Sequence, residues 1–331
     1  MQVACHSKRG LLGAVADLRQ TRPFRLHEQV VLFRIGQWTF VTFGLFAALG
    51  GFLATWTVFA RQLQAELPIA ELAWPLAVMV PFLALVGSRL YALVLLEWRD
   101  FLADPWQTLL RTTLGWQGGF VMVTAGVLLL AWSHQIDLMV WIDTFSFGVP
   151  LGQAFGRIGC HTYGCCHGRP TRVPWAIVVH NPLSKTVWHS GLGGVPLHPA
   201  QLYSAAADFA LAGVLAAIAL TGPLHAGSIA AIYLVLDGVM RFALELVRDG
   251  VTRRYAGVSP FQWFAVFQVG VGAAVAIRAG EHPLANFSTG LWSSLVDAMQ
   301  WWPACVVAGL GMLFWMGIHR GDPGSLSVEG R

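Results

Sequence analysis

Residues 138–155 read LMVWIDTFSFGVPLGQAF, and residues 156–171, which follow directly, read GRIGCHTYGCCHGRPT. The first stretch is mostly apolar, and about 20 such residues in a helix cross the ~30 Å hydrocarbon core of a bilayer. The second stretch sets two arginines among three cysteines, two histidines and several glycines. We therefore predict a membrane-spanning helix that carries a polar segment to one face of the membrane.

The composition extends this prediction to the whole chain. Of its 331 residues, 56% are hydrophobic and only 11% are charged, whereas about 25% of the residues of a soluble domain are charged. Other apolar runs of spanning length lie near 36–60, 74–96, 114–133, 200–221, 226–246, 260–279 and 299–318. The fold class predicted is an all-α polytopic membrane protein with seven to eight transmembrane helices.

The joints between the apolar runs are short except for residues 157–199. That segment is rich in Gly and Pro and too long for a turn, so we predict a small irregular or β-containing head segment between spans 4 and 5. The first 34 residues lack the apolar core of a secretory signal, so we expect the first span to be retained. The predicted organisation is a basic N-terminal segment (1–34), helices 1–4 (35–156), the head segment (157–199), helices 5–7 (200–279) and an extra C-terminal helix and tail (280–331).

Charged residues in or beside the apolar runs mark a candidate site, because charges in lipid are costly. Arg157 follows the fourth run, and Arg241 and Glu245 lie four residues apart in the sixth. One interpretation is that Arg241 and Glu245 simply neutralise each other, with Asp237 or Asp143 as the partner of the other arginine. The other is that Arg157 and Arg241 bind a phosphate headgroup, since a guanidinium pairs bidentately with phosphate oxygens. Glycines in the same region allow close approach of the backbone to a headgroup, although small residues also serve helix packing. These glycines are at positions 152, 156, 159, 164 and 168.

The cysteine and histidine cluster has several interpretations. Cys160, Cys165 and Cys166 with His161 and His167 supply zinc ligands, but as a single clump rather than as two separated ligand pairs. A redox pair, a nucleophilic thiol with a histidine base, and a weakly polar pocket lining are the alternatives. The clump spacing predicts that no stoichiometric metal is bound, and we expect no cofactor. The scattered Lys and Arg form no contiguous basic face, which excludes a nucleic-acid partner.

Three motifs in order resemble the prolipoprotein diacylglyceryl transferase family. They are GRIGCHTYGCCHGR at 156–169, which we call the signature motif, HPAQLY at 198–203 and RFALELVR at 241–248. Residues 33–54, 116–119 (WQGG) and 169–179 (RPTRVPWAIVV) resemble further family segments. The resemblance implies transfer of the diacylglyceryl group from phosphatidylglycerol to the thiol of a lipobox cysteine in a prolipoprotein signal peptide, with release of glycerol phosphate, at the bacterial inner (plasma) membrane.

The chain departs from the family pattern at four positions. The family has Asn where this chain has Cys160, Glu where it has Cys165, a histidine base where it has Gln117, and Tyr where it has Phe43. Glutamine cannot accept a proton, so another group must activate the acceptor thiol; His198, His161, His167 and Glu245 are the candidates. A divergent homologue acting on another acceptor, a silent headgroup-binding protein and a Cys/His metal-binding membrane protein remain alternatives.

The predicted site residues fall into two groups. The predicted catalytic residues are Arg157, Arg241, Glu245, His198, Cys160 and Cys165. The predicted substrate-binding residues are Gln117, Gly118, Gly119, Gly156, Gly159, Gly168, Arg169, Gln201, Tyr203 and Arg248.

Membrane orientation has two conflicting indications. Eight spans place residues 1–35, 97–113, 157–199, 247–259 and the tail on one face, which holds nearly all Lys and Arg. The positive-inside rule assigns that face to the cytoplasm, and its signal includes Lys8, Arg9, Arg19, Arg22 and Arg25. The family resemblance instead implies that the N-terminus and the signature segment lie outside, and we follow the family for the face that carries the site.

Overall fold

The computed structural model describes residues 25–109, 116–248, 257–280, 284–285 and 290–321. Each of the eight apolar runs contains a helix, as predicted. The α-helices are α1 Thr42–Gln64, α2 Ile69–Tyr91, α3 Trp98–Ala103, α4 Pro105–Leu109, α5 Trp116–Ser133, α6 Leu138–Tyr163, α7 Lys185–Trp188, α8 Ala200–Ala219, α9 Ser228–Leu244, α10 Pro260–Ala279, α11 Leu291–Asp297 and α12 Trp302–Gly317. Lys8, Arg9, Arg19 and Arg22, which entered the orientation argument, lie outside the described residues.

Five helical segments of the described chain are long and apolar enough to cross a membrane. They are Thr42–Gln64, Ile69–Val94, Ala200–Ala219, Pro260–Ala279 and Leu291–Gly317, and Gly118–Ser133 is a shorter apolar helix. The prediction of an α-helical, multi-pass membrane protein is therefore confirmed. Helices α6 and α9, which carry Arg157 and Arg241, are not among the five. The count of seven to eight spans therefore stays a prediction.

The strands are short and lie outside the long helices. β1 (Val31–Ile35), β2 (Trp38–Val41) and β7 (Ile318–Arg320) form a three-stranded antiparallel sheet in the order β1-β2-β7. β3 (Ile177–Val178) pairs with β4 (Pro196–Leu197), and β5 (Leu224–His225) pairs with β6 (Leu284–Ala285). The first span was predicted to start at residue 36, which is wrong because residues 38–41 form β2 and the helix begins at Thr42.

The head segment contains the predicted β-structure. Strands β3 and β4 and the single-turn helix α7 lie within it, separated by irregular chain. Its predicted start is too early, however, because α6 continues past residue 156 to Tyr163. The helix ends there because Gly164 adopts a left-handed conformation, with φ 80°, and its N–H donates to the carbonyl of Cys160 at 2.9 Å.

Helix α6 is the central helix of the site, since it packs against α1, α8 and α9. Asp137 caps its N-terminus by accepting hydrogen bonds from Met139 N and Val140 N. Further along, the buried carboxylate of Asp143 accepts hydrogen bonds from Gly227 N and Ala230 N, each at 2.7 Å. Asp143 therefore caps α9 from a neighbouring helix and fixes where α9 begins relative to α6.

The C-terminal helix packs against the first two helices. A Cβ on Gly309 of α12 would lie 2.7 Å from the Ala48 carbonyl oxygen of α1, and Gly317 lies against Gly44. Cys305 is fully buried in the same cluster as Phe59 of α1 and Leu72 of α2. Small residues thus let α12 approach α1 closely, as is common between membrane helices.

Candidate functional site

The three sequence motifs meet at the end of α6, although up to about 80 residues separate them in the chain. Gly168 N donates to His198 O at 3.1 Å, and His198 N donates to Arg169 O at 3.0 Å. On the other side, Arg169 N donates to Val247 O at 3.0 Å. The backbone of the signature motif is therefore held between the start of the HPAQLY motif and the end of the RFALELVR motif.

The fit around Gly168 explains why a glycine stands there. A Cβ at this position would lie 2.5 Å from the His198 Cβ and 2.6 Å from its carbonyl oxygen. The neighbouring Arg169 side chain also joins the signature motif to the RFALELVR motif, since its Nε donates to Arg248 O at 3.0 Å. A larger residue at 168 would push the two motifs apart.

Arg157 lies on α6 one turn before Cys160 and is half-buried. Its guanidinium interacts electrostatically with Asp208 and with the thiols of Cys160, Cys165 and Cys166. No side chain or carbonyl among the described residues accepts a hydrogen bond from it. The five N–H donors of this guanidinium therefore remain able to bind an anion.

Arg241 is held far more firmly than Arg157. Its Nε lies 3.2 Å from Asp237 Oδ1, and its Nη2 donates to Gln153 Oε1 at 2.6 Å and to Asp208 Oδ1 at 3.3 Å. The suggested pairing of Arg241 with Glu245 is wrong, because Asp237 lies one turn earlier on α9 and Asp208 faces it from α8. All these bonds use Nε and Nη2, which leaves Nη1 without a partner among the described residues.

Glu245 pairs with Arg248, the last residue of the RFALELVR motif. Its Oε2 lies 3.4 Å from Arg248 Nη1, and the residue is 6% exposed. Asp143, which was considered as a partner for Arg157 or Arg241, instead caps α9 through Gly227 and Ala230. Glu245 therefore orients Arg248 rather than Arg241.

His198 has a fixed ring in a half-exposed position. The Tyr203 hydroxyl lies 3.3 Å from His198 Nδ1 and accepts a hydrogen bond from Trp175 Nε1 at 2.6 Å. Two residues before Tyr203, the buried Gln201 donates from Nε2 to Cys165 O at 2.8 Å. The HPAQLY motif thus holds both the histidine and the turn that carries the cysteines.

The other two histidines are less available for proton transfer. His167 is buried and both ring nitrogens are engaged, Nε2 with Ser190 Oγ at 2.9 Å and Nδ1 with Gly168 O at 3.2 Å. His161 is also buried, 4% exposed, and its ring packs edge-on against His27. Of the three candidates, His198 is the most accessible.

The three cysteines of the signature motif form one cluster. The Sγ atoms of Cys160, Cys165 and Cys166 all lie within 4.8 Å of one another, and none of the three is in a disulfide. Hydrogen bonds from the Cys160 and Cys165 thiols lower the pKa of Cys166 well below its usual value, and the nearby guanidiniums of Arg248 and Arg157 act in the same direction. The pKa of Cys165 is raised, because its thiol donates within the cluster.

Comparison with known proteins agrees with this geometry. The model of the prolipoprotein diacylglyceryl transferase family matches residues 30–278, which include all three converging motifs. The chain belongs to this family. The match ends before α11 and α12, so these two helices lie outside the part of the chain that the family model covers.

The individual relatives are named phosphatidylglycerol–prolipoprotein diacylglyceryl transferase. One from Bordetella bronchiseptica is 30% identical over 207 residues, which is 60% of this chain and 74% of the relative. One from Neisseria gonorrhoeae is 32% identical over 219 residues, 59% of this chain and 76% of the relative. A third, from Clostridium tetani, is 31% identical over 140 residues, 42% and 53% of the two chains.

One family position that differs in this chain lies against the signature motif. Phe43, where the family resemblance implies a tyrosine, contacts Gly159, since a Cβ on Gly159 would lie 2.7 Å from Phe43 Cδ2. A Cβ on Gly156, one turn earlier, would meet no atom within 4 Å. The α6 surface therefore packs at Gly159 and is open at Gly156.

The residues predicted from WQGG lie on a different helix contact. Gly118 packs against Gly87 of α2, and a Cβ on Gly119 would lie 2.5 Å from Ser88 Oγ. Both glycines therefore serve the packing of α5 on α2. Gln117 belongs to α5, and its side chain lies outside the described residues.

Two polar residues of the site were missed by the sequence reasoning. Asp208, on α8, is fully buried and bonds to Arg241, and Gln153, on α6, bonds to the same guanidinium. A signal for Asp208 was present, because an aspartate inside a predicted span is costly unless it is paired. No comparable signal marked Gln153, since it is uncharged and lies three residues before the end of the predicted span.

Proposed function

We propose that this protein transfers the diacylglyceryl group of phosphatidylglycerol to the lipobox cysteine thiol of a prolipoprotein signal peptide and releases glycerol phosphate. The names of the relatives include this donor and the prolipoprotein acceptor. The proposed location is the bacterial inner membrane, with the site on the outer face. The acceptor sulfur attacks the glyceryl carbon, and the carbon–oxygen bond to phosphate breaks.

The observation that carries this proposal is the environment of the Arg157 guanidinium. Its guanidinium lies where the three motifs meet, it is half-buried, and no described residue accepts a hydrogen bond from it. A guanidinium at the border of a membrane requires an anionic partner. The phosphate of the donor lipid is a partner of the right charge and geometry, since it accepts two parallel N–H bonds from one guanidinium.

Arg241 supplies a second contact from a fixed position. Asp237 and Asp208 hold its Nε and Nη2, and Nη1 is left to face the phosphate. Because these bonds exist before the substrate binds, the guanidinium does not have to reorganise during the reaction. Negative charge grows on the leaving phosphate as the carbon–oxygen bond breaks, and both arginines stabilise it.

His198 is the proposed base for the acceptor thiol. The corresponding family base is replaced by Gln117, which cannot accept a proton. The His198 ring is set by Tyr203, and its backbone bonds directly to Gly168 of the signature motif. Its position beside the signature turn supports a role in receiving the thiol proton.

Genetic complementation tests the proposed function. The gene is expressed in a bacterium whose own prolipoprotein diacylglyceryl transferase is depleted. We expect growth and mature lipoproteins with the wild-type chain and with Arg172→Lys, a variant of an exposed arginine in the head segment. Normal membrane levels of the wild-type chain without any lipoprotein modification would contradict the proposal.

A further inference from the structure

The cysteine cluster is assembled by the end of helix α6. Cys160 lies in the last turn of the helix, and the left-handed Gly164, φ 80°, reverses the chain directly after it. Cys166 also has a positive φ of 55°, which is uncommon for a residue with a side chain. The two turns fold Cys165 and Cys166 back towards Cys160, so that the three Sγ atoms lie within 4.8 Å of one another.

The sulfur spacing matches that of a zinc site. A tetrahedral zinc ion with Zn–S bonds of about 2.3 Å places its sulfur ligands about 3.8 Å apart. Sulfurs no more than 4.8 Å apart reach that spacing by side-chain shifts of about 1 Å or less. The cysteines are half-buried rather than sealed in the core, so an ion can reach them.

The surrounding charges also suit a thiolate-bound metal. Three thiolates and a divalent ion leave one net negative charge, and the guanidiniums of Arg157 and Arg248 lie close enough to interact with the cluster. Two histidines are adjacent to cluster cysteines in sequence. His167 is bonded to Ser190 and Gly168, and His161 packs against His27. Within the described part of the chain, the group of ligands around this point consists of the three sulfurs only. Three protein ligands and one open position are typical of catalytic zinc.

We propose that Cys160, Cys165 and Cys166 bind one zinc ion, and that the open fourth position binds the acceptor thiol as a thiolate. The role of the fourth position rests on the proposed function. The sequence spacing of the cysteines predicted no bound metal. The proposal differs because the turns at Gly164 and Cys166 bring the three sulfurs together in space.

The zinc ion would supply the activation that Gln117 cannot. A thiol bound to zinc is deprotonated, and its proton passes to His198. The zinc-bound sulfur then attacks the glyceryl carbon, a carbon–sulfur bond forms, and the electron pair of the broken carbon–oxygen bond leaves with glycerol phosphate. The thioether product is a weaker ligand than a thiolate, so it leaves the metal.

Metal content tests the site independently of activity. The full chain is purified in detergent, loaded with Zn²⁺, dialysed and measured by elemental analysis. We expect about one zinc per wild-type chain. The zinc content should be at least about tenfold lower in Cys160→Ser, Cys165→Ser and Cys166→Ser. Cys305→Ser is the matched control, since Cys305 is buried between α12 and α1, and it should retain the metal. Wild-type protein without zinc, or equal zinc in all four variants, would overturn the site.

A second measurement uses only the wild-type chain, in case the serine variants fold poorly. Zinc should protect the three thiols from alkylation by N-ethylmaleimide, and mass spectrometry of the peptide that contains them reports the labelling. Equal labelling rates with and without Zn²⁺ would also overturn the site.

The open position is tested with Co²⁺ in place of zinc. We expect the visible spectrum of the cobalt protein to change when a lipobox peptide is added, and to stay the same with the matching peptide in which serine replaces the cysteine. An unchanged spectrum with the cysteine peptide would overturn the role of the fourth position. No lipid is needed, so a failure of lipid transfer with a responsive cobalt site would refute the proposed function alone.

Discussion

At the scale of single residues, the two arginines of the site differ in what holds them. Arg241 is fixed by Asp237, Asp208 and Gln153, whereas Arg157 receives no hydrogen-bond acceptor from the described residues. The buried carboxylates of Asp237 and Asp208 offset the charge of Arg241. Asp208 also interacts electrostatically with Arg157. Arg241 therefore organises the site, and Arg157 is the main donor to an incoming phosphate.

Replacing Arg157 by lysine tests that assignment. Arg157→Lys keeps the charge but loses the two parallel N–H donors. We expect normal expression and a loss of at least about a hundredfold in turnover, the order found on removing one oriented electrostatic stabiliser. Turnover is measured with phosphatidylglycerol and a lipobox peptide, with Arg172→Lys as the control. Near-normal turnover of a folded Arg157→Lys protein would leave Arg157 as a packing residue.

Replacing His198 by alanine tests the acceptor side. The backbone bonds of residue 198 to Gly168 and Arg169 survive the change, so the signature motif stays in place. We expect turnover to be abolished while the protein still binds phosphatidylglycerol vesicles, because only proton transfer is lost. The exposed His225 provides the control variant, His225→Ala. Full activity of His198→Ala would remove this residue from the mechanism.

At the scale of elements, the site depends on how α6 is joined to α8 and α9. Helix α6 presents Gln153 and Arg157, α8 presents Asp208, and α9 presents Asp237 and Arg241. The Asp143 cap sets the start of α9 against α6, about three turns away from Gln153 along α6. The relative position of α6 and α9 is therefore fixed by buried hydrogen bonds as well as by packing.

Removing this cap should weaken the protein. Asp143→Ala leaves the N–H groups of Gly227 and Ala230 buried without an acceptor, at a cost of about 1–3 kcal/mol each. We expect a clear fall in the thermal unfolding midpoint in detergent. Asp143→Asn, which keeps one side-chain acceptor, should fall less. Equal midpoints for wild type and Asp143→Ala would contradict the capping role.

Element positions followed from the sequence more readily than element ends did. The apolar runs located the eight long helices of the described residues, because a bilayer selects for length and hydrophobicity. The end of α6 was misplaced because polar residues after 156 mark the membrane border, while the helix itself ends only where Gly164 turns left-handed. Strand β2 was read as the start of the first span, since it runs into the apolar residues of α1 without a polar break.

The site was predictable in its motifs but not in its pairings. Proximity of residues 156–169, 198–203 and 241–248 followed from the family resemblance. The choice of Asp237 over Glu245 as the partner of Arg241 depends on which side of the helix α8 covers, and sequence spacing is the same for both. The sulfur cluster depends on two left-handed residues, one of them a cysteine, which no spacing rule anticipates.

At the scale of the whole molecule, the C-terminal helix α12 packs against α1 and α2. The family match ends at residue 278, yet α12 packs against α1 and α2, and β7 adds a strand to the β1–β2 hairpin. Ala304, Cys305 and Ala308 are buried in that contact. The C-terminal segment is therefore an integral part of this structure.

Widening the α12–α1 contact should destabilise the fold. In Gly309→Leu, the new Cβ would lie 2.7 Å from the Ala48 carbonyl oxygen, so the helices must move apart. Overpacking of this kind costs about 1–3 kcal/mol, and we expect a lower thermal midpoint. Gly270→Leu is the control, since a Cβ there meets no atom within 4 Å. A larger loss in Gly270→Leu than in Gly309→Leu would contradict this packing.

The central claim is the transfer of a diacylglyceryl group to a cysteine thiol, and the mass of the acceptor tests it most directly. The purified chain is loaded with Zn²⁺ and incubated with phosphatidylglycerol of defined acyl chains and a lipobox peptide, and the mass of the peptide is measured by mass spectrometry. We predict a gain equal to one diacylglyceryl group, matched by released glycerol phosphate, and no gain on the peptide in which serine replaces the cysteine. No gain on the cysteine peptide with folded, zinc-loaded protein, or an equal gain on the serine peptide, would contradict the account.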